Sequence, residues 1–89
     1  MQGKRVVAVD DEEVTGQLLA LIFSREGAEV HTALNFDQGM HLFHQHRPDL
    51  MLVDLMMPGI DGLQMCRHLR DISNVPIIII SAQIGRAHV

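Results

Sequence analysis

Cysteine is almost missing: Cys66 is the single one in 89 residues. No internal disulfide can form, so nothing points to an oxidising compartment. Basic residues are few and scattered, with seven Lys and Arg against eleven Asp and Glu and a formal charge of −4. Without a cluster of Lys and Arg the chain lacks the electrostatic footprint of a nucleic-acid binder. Long hydrophobic runs are absent as well. No apolar stretch approaches the ~20 residues that span a bilayer, and Met1-Gln2-Gly3-Lys4-Arg5 leads into a short run cut by Asp10, unlike a secretory signal. Neither G-x-G-x-x-G nor G-x-x-x-x-G-K-[ST] occurs, which removes support for a dinucleotide fold or a P-loop. What is present is 47% hydrophobic and 20% charged, too apolar for a disordered chain, and long enough for one small domain. A cytoplasmic globular domain with no nucleic-acid or membrane partner is expected.

Short apolar runs alternate with amphipathic stretches. Val6-Val7-Ala8-Val9 stops at Asp10, Leu50-Met51-Leu52-Val53 at Asp54, and Ile77-Ile78-Ile79-Ile80 at Ser81. Runs apolar at every position suit strands buried on both faces of a parallel sheet. Glu29-Val30-His31-Thr32-Ala33 is half polar and fits an edge strand. Between them, Val14, Leu18, Leu21 and Ile22 follow the i, i+4, i+7, i+8 helical template, closed by Gly27. Phe36, Met40 and Phe43 repeat at helical spacing between a candidate N-cap, Asn35, and Pro48. Leu63, Cys66, Leu69 and Ile72 form a third stripe, with Asp61 and Gln64 resembling a capping box. The order β-α-β-α-β-α-β predicts an α/β fold with a doubly wound parallel sheet.

In such a sheet all strand C-termini share one edge, where ligands bind. Asp10, Asp54 and Ser81 are each the first polar residue after an apolar run, so they converge there, and Asp11 follows directly. Converging carboxylates repel one another unless a cation compensates. A hard divalent ion with oxygen ligands, Mg²⁺ most naturally, suits that role and leaves room for phosphate chemistry. Either of Asp10 and Asp11 taken alone also fits as the N-cap of a Glu13–Arg25 helix, and Glu12 and Glu13 fit as first-turn acids. Asp54 is followed by Leu55-Met56-Met57-Pro58-Gly59, a loop, so capping does not account for it. A hydroxyl such as Ser81 at a strand end is by itself a weak signal. His41, His44 and His46 read as a solvated helix face, His31 and His68 as isolated, and Cys66 as a core residue.

The segments Val6–Glu12, Pro48–Gly62 and Val75–Ala82, with the Asp54-Leu55-Met56-Met57-Pro58-Gly59-Ile60-Asp61-Gly62 loop at their centre, resemble the receiver domain of bacterial two-component response regulators. The match runs in register from about Lys4 to Ala82. The resemblance implies a flavodoxin-like fold and a phosphoacceptor role, with Asp54 taking a phosphoryl group from a histidine kinase or phosphotransfer protein to switch an output. It further implies Mg²⁺ held by Asp10, Asp11, Asp54 and the Met56 backbone carbonyl, with Ser81 as the switch hydroxyl. The chemistry is consistent: a carboxylate nucleophile, a neutralising cation and a hydroxyl that detects the product. Such a domain is a signalling phosphoacceptor and not a turnover enzyme.

Two departures accompany the resemblance. Gly39 falls inside the second helix where the family carries a small Ala, at a cost of ~1 kcal/mol in helix propensity. Receiver domains continue into a fifth strand bearing a lysine and then a last helix. Here the one lysine, Lys4, lies six strand residues, roughly 20 Å, before Asp10. The expected division is therefore 1–82 as a receiver domain truncated before its fifth strand, with four strands and three helices, and 83–89 as a tail foreign to it. Ile84-Gly85-Arg86-Ala87-His88-Val89 matches the translation of a common sequencing adapter, ATC-GGA-AGA-GCA-CAC-GTC, and Gln83 fits the AG that precedes it. An Ile77–Ile80 strand left without a neighbour is expected to make the chain poorly soluble or partly unfolded. Two other classes remain open. An aspartyl-phosphate phosphatase of the haloacid-dehalogenase type calls for a D-x-D that is not present, and a degenerate interaction module would not be phosphorylated at all.

Overall fold

The computed structural model of the chain describes residues 1–56 and 62–80. Its elements follow the expected order: β1 (Arg5–Val9), α1 (Glu13–Arg25), β2 (Glu29–Ala33), α2 (Phe36–His46), β3 (Leu50–Asp54), α3 (Gly62–Ile72) and β4 (Ile77–Ile80). The four strands form one parallel sheet in the order β2-β1-β3-β4. Strand order therefore reverses between β1 and β3, which makes their C-terminal ends the switch point of a flavodoxin-like sheet.

Helices cover both faces because the two faces of β1 and β3 are both apolar. Val7, Val9, Met51 and Val53 pack beneath Met40 and Phe43 of α2 and Met65, Cys66 and Leu69 of α3. Val6, Ala8, Leu50 and Leu52 form the opposite face with Leu19 and Phe23 of α1. The continuous apolar runs at 6–9 and 50–53 are buried throughout. That matches a central parallel strand, which has no solvent side.

Asn35 is the N-cap of α2, its side chain accepting a hydrogen bond from the Gln38 backbone N–H at 2.8 Å. The Gln38 side chain accepts in turn from the Leu34 N–H at 2.9 Å. The helix ends at Arg47 in the left-handed region, φ 48°, before Pro48. Gly39 is explained by packing. A Cβ there would stand 2.7 Å from Val9 Cγ2 and 2.8 Å from Met65 Cε, so an alanine would push on the α2–β1 contact and packing favours glycine in spite of its low helix propensity.

Some faces differ from the simplest reading of the pattern. The Val14, Leu18, Leu21 and Ile22 stripe of α1 is exposed, and Gly16, Leu19 and Phe23 turn to the sheet instead. The helix is apolar on two sides, and on the packed side Gly16 lies against Thr32 of β2. In α3, Cys66 and Leu69 are buried as expected, together with Met65, while Leu63 and Ile72 are exposed. Ile78 and Ile79 of β4, expected to be buried, are also exposed, because among the described residues β4 pairs only with β3. No helix among the described residues is long and apolar enough to cross a membrane. Asp61, Ser81 and the 83–89 tail lie outside the described residues.

Candidate functional site

Asp10 follows β1 and Asp54 ends β3, so the parallel register carries both to the switch-point edge although 44 positions separate them in sequence. Asp10 is anchored there by its backbone N–H, which donates to the Ala33 carbonyl of β2 at 3.0 Å. Both side chains are buried, Asp10 6% and Asp54 4% exposed, whereas Asp11 is exposed. One carboxylate oxygen from each of the three lies within 4.8 Å of the others.

Local turns fix the two buried carboxylates. The Glu12 backbone N–H donates to Asp10 Oδ1 at 2.9 Å, and the Met56 N–H donates to Asp54 Oδ1 at 2.9 Å. Neither acid caps α1. Its N-cap is Glu12, which makes no side-chain capping bond, so the capping alternative for Asp10 and Asp11 does not hold. Glu13 is the acid in the first turn, as expected.

Burial and mutual repulsion dominate the electrostatics of these acids. Burial raises the Asp10 pKa from 3.8 to about 6. The Glu12 backbone N–H lowers it, while the nearby Asp54 and Asp11 charges and a hydrogen bond with the Asp54 side chain raise it further. Among the described residues, no Lys, Arg or His forms an ion pair with any of the three acids. Lys4 precedes the far end of β1. An all-carboxylate set with two buried members and no side-chain cation fits a hard oxygen-seeking divalent ion such as Mg²⁺.

The start of α3 is held close to this site. A Cβ on Gly62 would stand 2.5 Å from the Asp54 carbonyl oxygen and 2.6 Å from Leu55 Cα, so α3 begins against the backbone that carries Asp54. Met56, implied by resemblance as a carbonyl ligand, lies two residues beyond Asp54 with an exposed side chain. Ser81 lies outside the described residues. His41 and His44 are exposed, in keeping with a solvated face. His31, by contrast, is not isolated: its ring stacks on His46. Spacing along the sequence holds no trace of that pairing, since it depends on strand register.

Comparison with known proteins agrees with this geometry. The family model of the response regulator receiver domain matches residues 6–89, and the chain belongs to that family. The transcriptional regulatory protein AfsQ1 of Streptomyces coelicolor is 36% identical over 78 residues, 88% of this chain and 35% of that protein. The chain thus spans about a third of the length of this curated relative. Among solved structures, the response regulator TrrA of Thermotoga maritima in complex with Mg²⁺-BeF superposes with a TM-score of 0.83 at 32% identity, over 96% of this chain and 75% of that one. The BeF3-activated receiver domain of Klebsiella pneumoniae RstA gives 0.82 at 31% identity, over 88% and 67%. A structure of the histidine kinase ThkA in complex with TrrA gives 0.81 at 35% identity, over 89% and 69%.

Proposed function

We propose that Asp54 is the phosphoacceptor of this receiver domain and that a histidine kinase or phosphotransfer protein is its donor. The observation that carries the reading is the placement of Asp54. It is buried at the switch-point end of β3 beside Asp10, oriented by the Met56 N–H and not used as a helix cap. In the transfer, an Asp54 carboxylate oxygen attacks the donor's phosphorus in line. The new P–O bond forms as the P–N bond to the donor histidine breaks, and the histidine nitrogen keeps the electron pair. Asp10 and Asp11, with Asp54 and the Met56 carbonyl, would hold Mg²⁺, which neutralises charge on the phosphoryl oxygens. TrrA was solved with Mg²⁺-BeF and, separately, with the kinase ThkA, which supports both the ion and the class of partner.

Ser81 is proposed as the hydroxyl that reports phosphorylation to an output module. The domain functions as a cytoplasmic signalling switch, not as a turnover enzyme. Incubation with acetyl phosphate and Mg²⁺, followed by intact-mass measurement, tests the assignment. One phosphoryl group is expected on the wild-type chain and none on Asp54→Asn. Labelling that persists in the variant removes Asp54 from the role. A wild-type chain that stays unlabelled, while still binding Mg²⁺, favours the interaction-module reading.

A further inference from the structure

A second cluster of ligating side chains sits at the opposite end of the sheet from Asp10. Glu29 opens β2 and pairs in register with Arg5, the first residue of β1, whereas Asp10 follows the last. Five strand residues separate the two ends by roughly 17 Å. Glu29 and His31 are two apart on β2, so they leave the same face of the sheet, the one that α2 covers. His46 is the last residue of α2. His31 Nε2 lies 2.7 Å from Glu29 Oε2, and His46 Nδ1 lies 3.9 Å from the same oxygen. The two imidazoles stack with centroids 3.7 Å apart and planes 11° from parallel.

Two imidazoles and one carboxylate make a donor set quite unlike the three carboxylates around Asp54. Nitrogen donors select borderline metals such as Zn²⁺, and a His₂–carboxylate set leaves a fourth position open. One donor atom from each residue already lies within 4.8 Å of the other two. Tetrahedral donors at ~2.1 Å from zinc stand about 3.4 Å apart, so the donor spacings need to change by about 1.4 Å or less. The stacked rings must also turn edge-on. The two ring side chains are 30% and 22% exposed and Glu29 is 52% exposed, so the cluster is open to solvent. The backbone frame is set beforehand. The Arg5 guanidinium donates to the His46 carbonyl at 3.0 Å, fixing the end of α2 beside the start of β1. Arg5 Nε also lies 3.7 Å from Glu29 Oε2, so a metal ion would compete with it for that carboxylate.

We propose that Glu29, His31 and His46 form a transition-metal site of the Zn²⁺ class, distinct from the acidic switch-point site, that clips the C-terminus of α2 to β2. Co²⁺ serves as the spectroscopic probe and Zn²⁺ as the ligand in thermal melts, both with Mg²⁺ in excess. One Co²⁺ per chain should bind with visible absorption bands, and Zn²⁺ should raise Tm. His31→Ala and His46→Ala should each weaken binding by at least the ~10-fold that loss of a mere supporting partner costs. His31→Phe and His46→Phe, which keep a stacked ring but no nitrogen, should do the same in chains whose circular dichroism is unchanged. Glu29→Gln should weaken it as well. The Asp54→Asn chain, and a chain carrying both His41→Ala and His44→Ala, should bind as the wild type does. Binding that survives the phenylalanine variants, that is lost with His41 and His44 or with Asp54, or that is no tighter than millimolar overturns the proposal.

Discussion

At the scale of single residues, the buried Asp10 carboxyl ties stability to pH. Its carboxyl titrates at about 6 in the fold against 3.8 ordinarily. Between those values the folded chain holds a proton that the unfolded chain has released. Metal-free stability should therefore fall as pH rises through that window and stay low above it. The full difference is at most about 3 kcal/mol. Glu29 is shifted in the opposite direction, chiefly by its hydrogen bond to His31. Its lowered pKa affects stability only below its ordinary 4.5, so the upper part of the window reports Asp10. Urea denaturation at pH 5 and 7.5, with and without Mg²⁺, checks the sign. Without the ion the chain should be more stable at pH 5, and Mg²⁺ should stabilise it at 7.5 far more than at 5. Asp10→Asn removes a charge from between two others, so it should raise metal-free stability at pH 7.5 and abolish most of the Mg²⁺ effect. The capping residue gives a smaller, independent readout: Asn35→Ala loses the bond to the Gln38 N–H and should cost about 1 kcal/mol in the same titration.

At the scale of elements, two glycines set how closely helices approach the sheet. An alanine at 39 gains ~1 kcal/mol of helix propensity, but its methyl must displace Val9 in the centre of the sheet as well as the more yielding end of Met65. Overpacking of that kind costs roughly 1–3 kcal/mol, so Gly39→Ala should destabilise by about 1 kcal/mol net, measured by chemical denaturation. Gly62 differs because its close neighbours are backbone atoms of Asp54 and Leu55, which cannot rotate away. Gly62→Ala should lower stability by about 2 kcal/mol and also weaken Mg²⁺ binding, since the displaced backbone carries Asp54. A titration that shows lost stability with unchanged Mg²⁺ affinity would separate α3 packing from the site. α3 is further tied to the lead into β4, where the Arg70 guanidinium donates to the Val75 carbonyl.

At the scale of the whole molecule, α1 and β4 carry most of the large apolar side chains left open among the described residues. Val14, Leu18, Leu21 and Ile22 line one side of α1, and Ile78 and Ile79 are exposed on β4. An apolar strand with a partner on one side only, among the described residues, is a template for pairing with another chain. The 89-residue chain should therefore associate with rising concentration. Ile79→Lys should shift sedimentation-velocity profiles toward monomer, because a charge on an exposed strand disfavours edge pairing. A wild-type chain that sediments as a monomer at every concentration removes β4 as an association edge.

The amino-acid order by itself determined the elements, their sequence along the chain and the acids that matter. The uninterrupted apolar runs at 6–9 and 50–53 suit strands with two dry faces, and the first polar residue after each falls at the sheet edge, so the convergence of Asp10 and Asp54 was legible without coordinates. Which side of α1 packs was not legible, because that helix is apolar on both sides and only the packing of Leu19 and Phe23 against the sheet distinguishes them. The need for glycine at 39 was equally hidden, since local propensity alone favours alanine and only contact with Val9 and Met65 reverses that preference. The Glu29–His31–His46 cluster belongs wholly to the tertiary structure. Strand register puts Glu29 opposite Arg5, and the crossing of α2 lays His46 on His31, so residues fifteen apart meet through packing that no periodicity encodes.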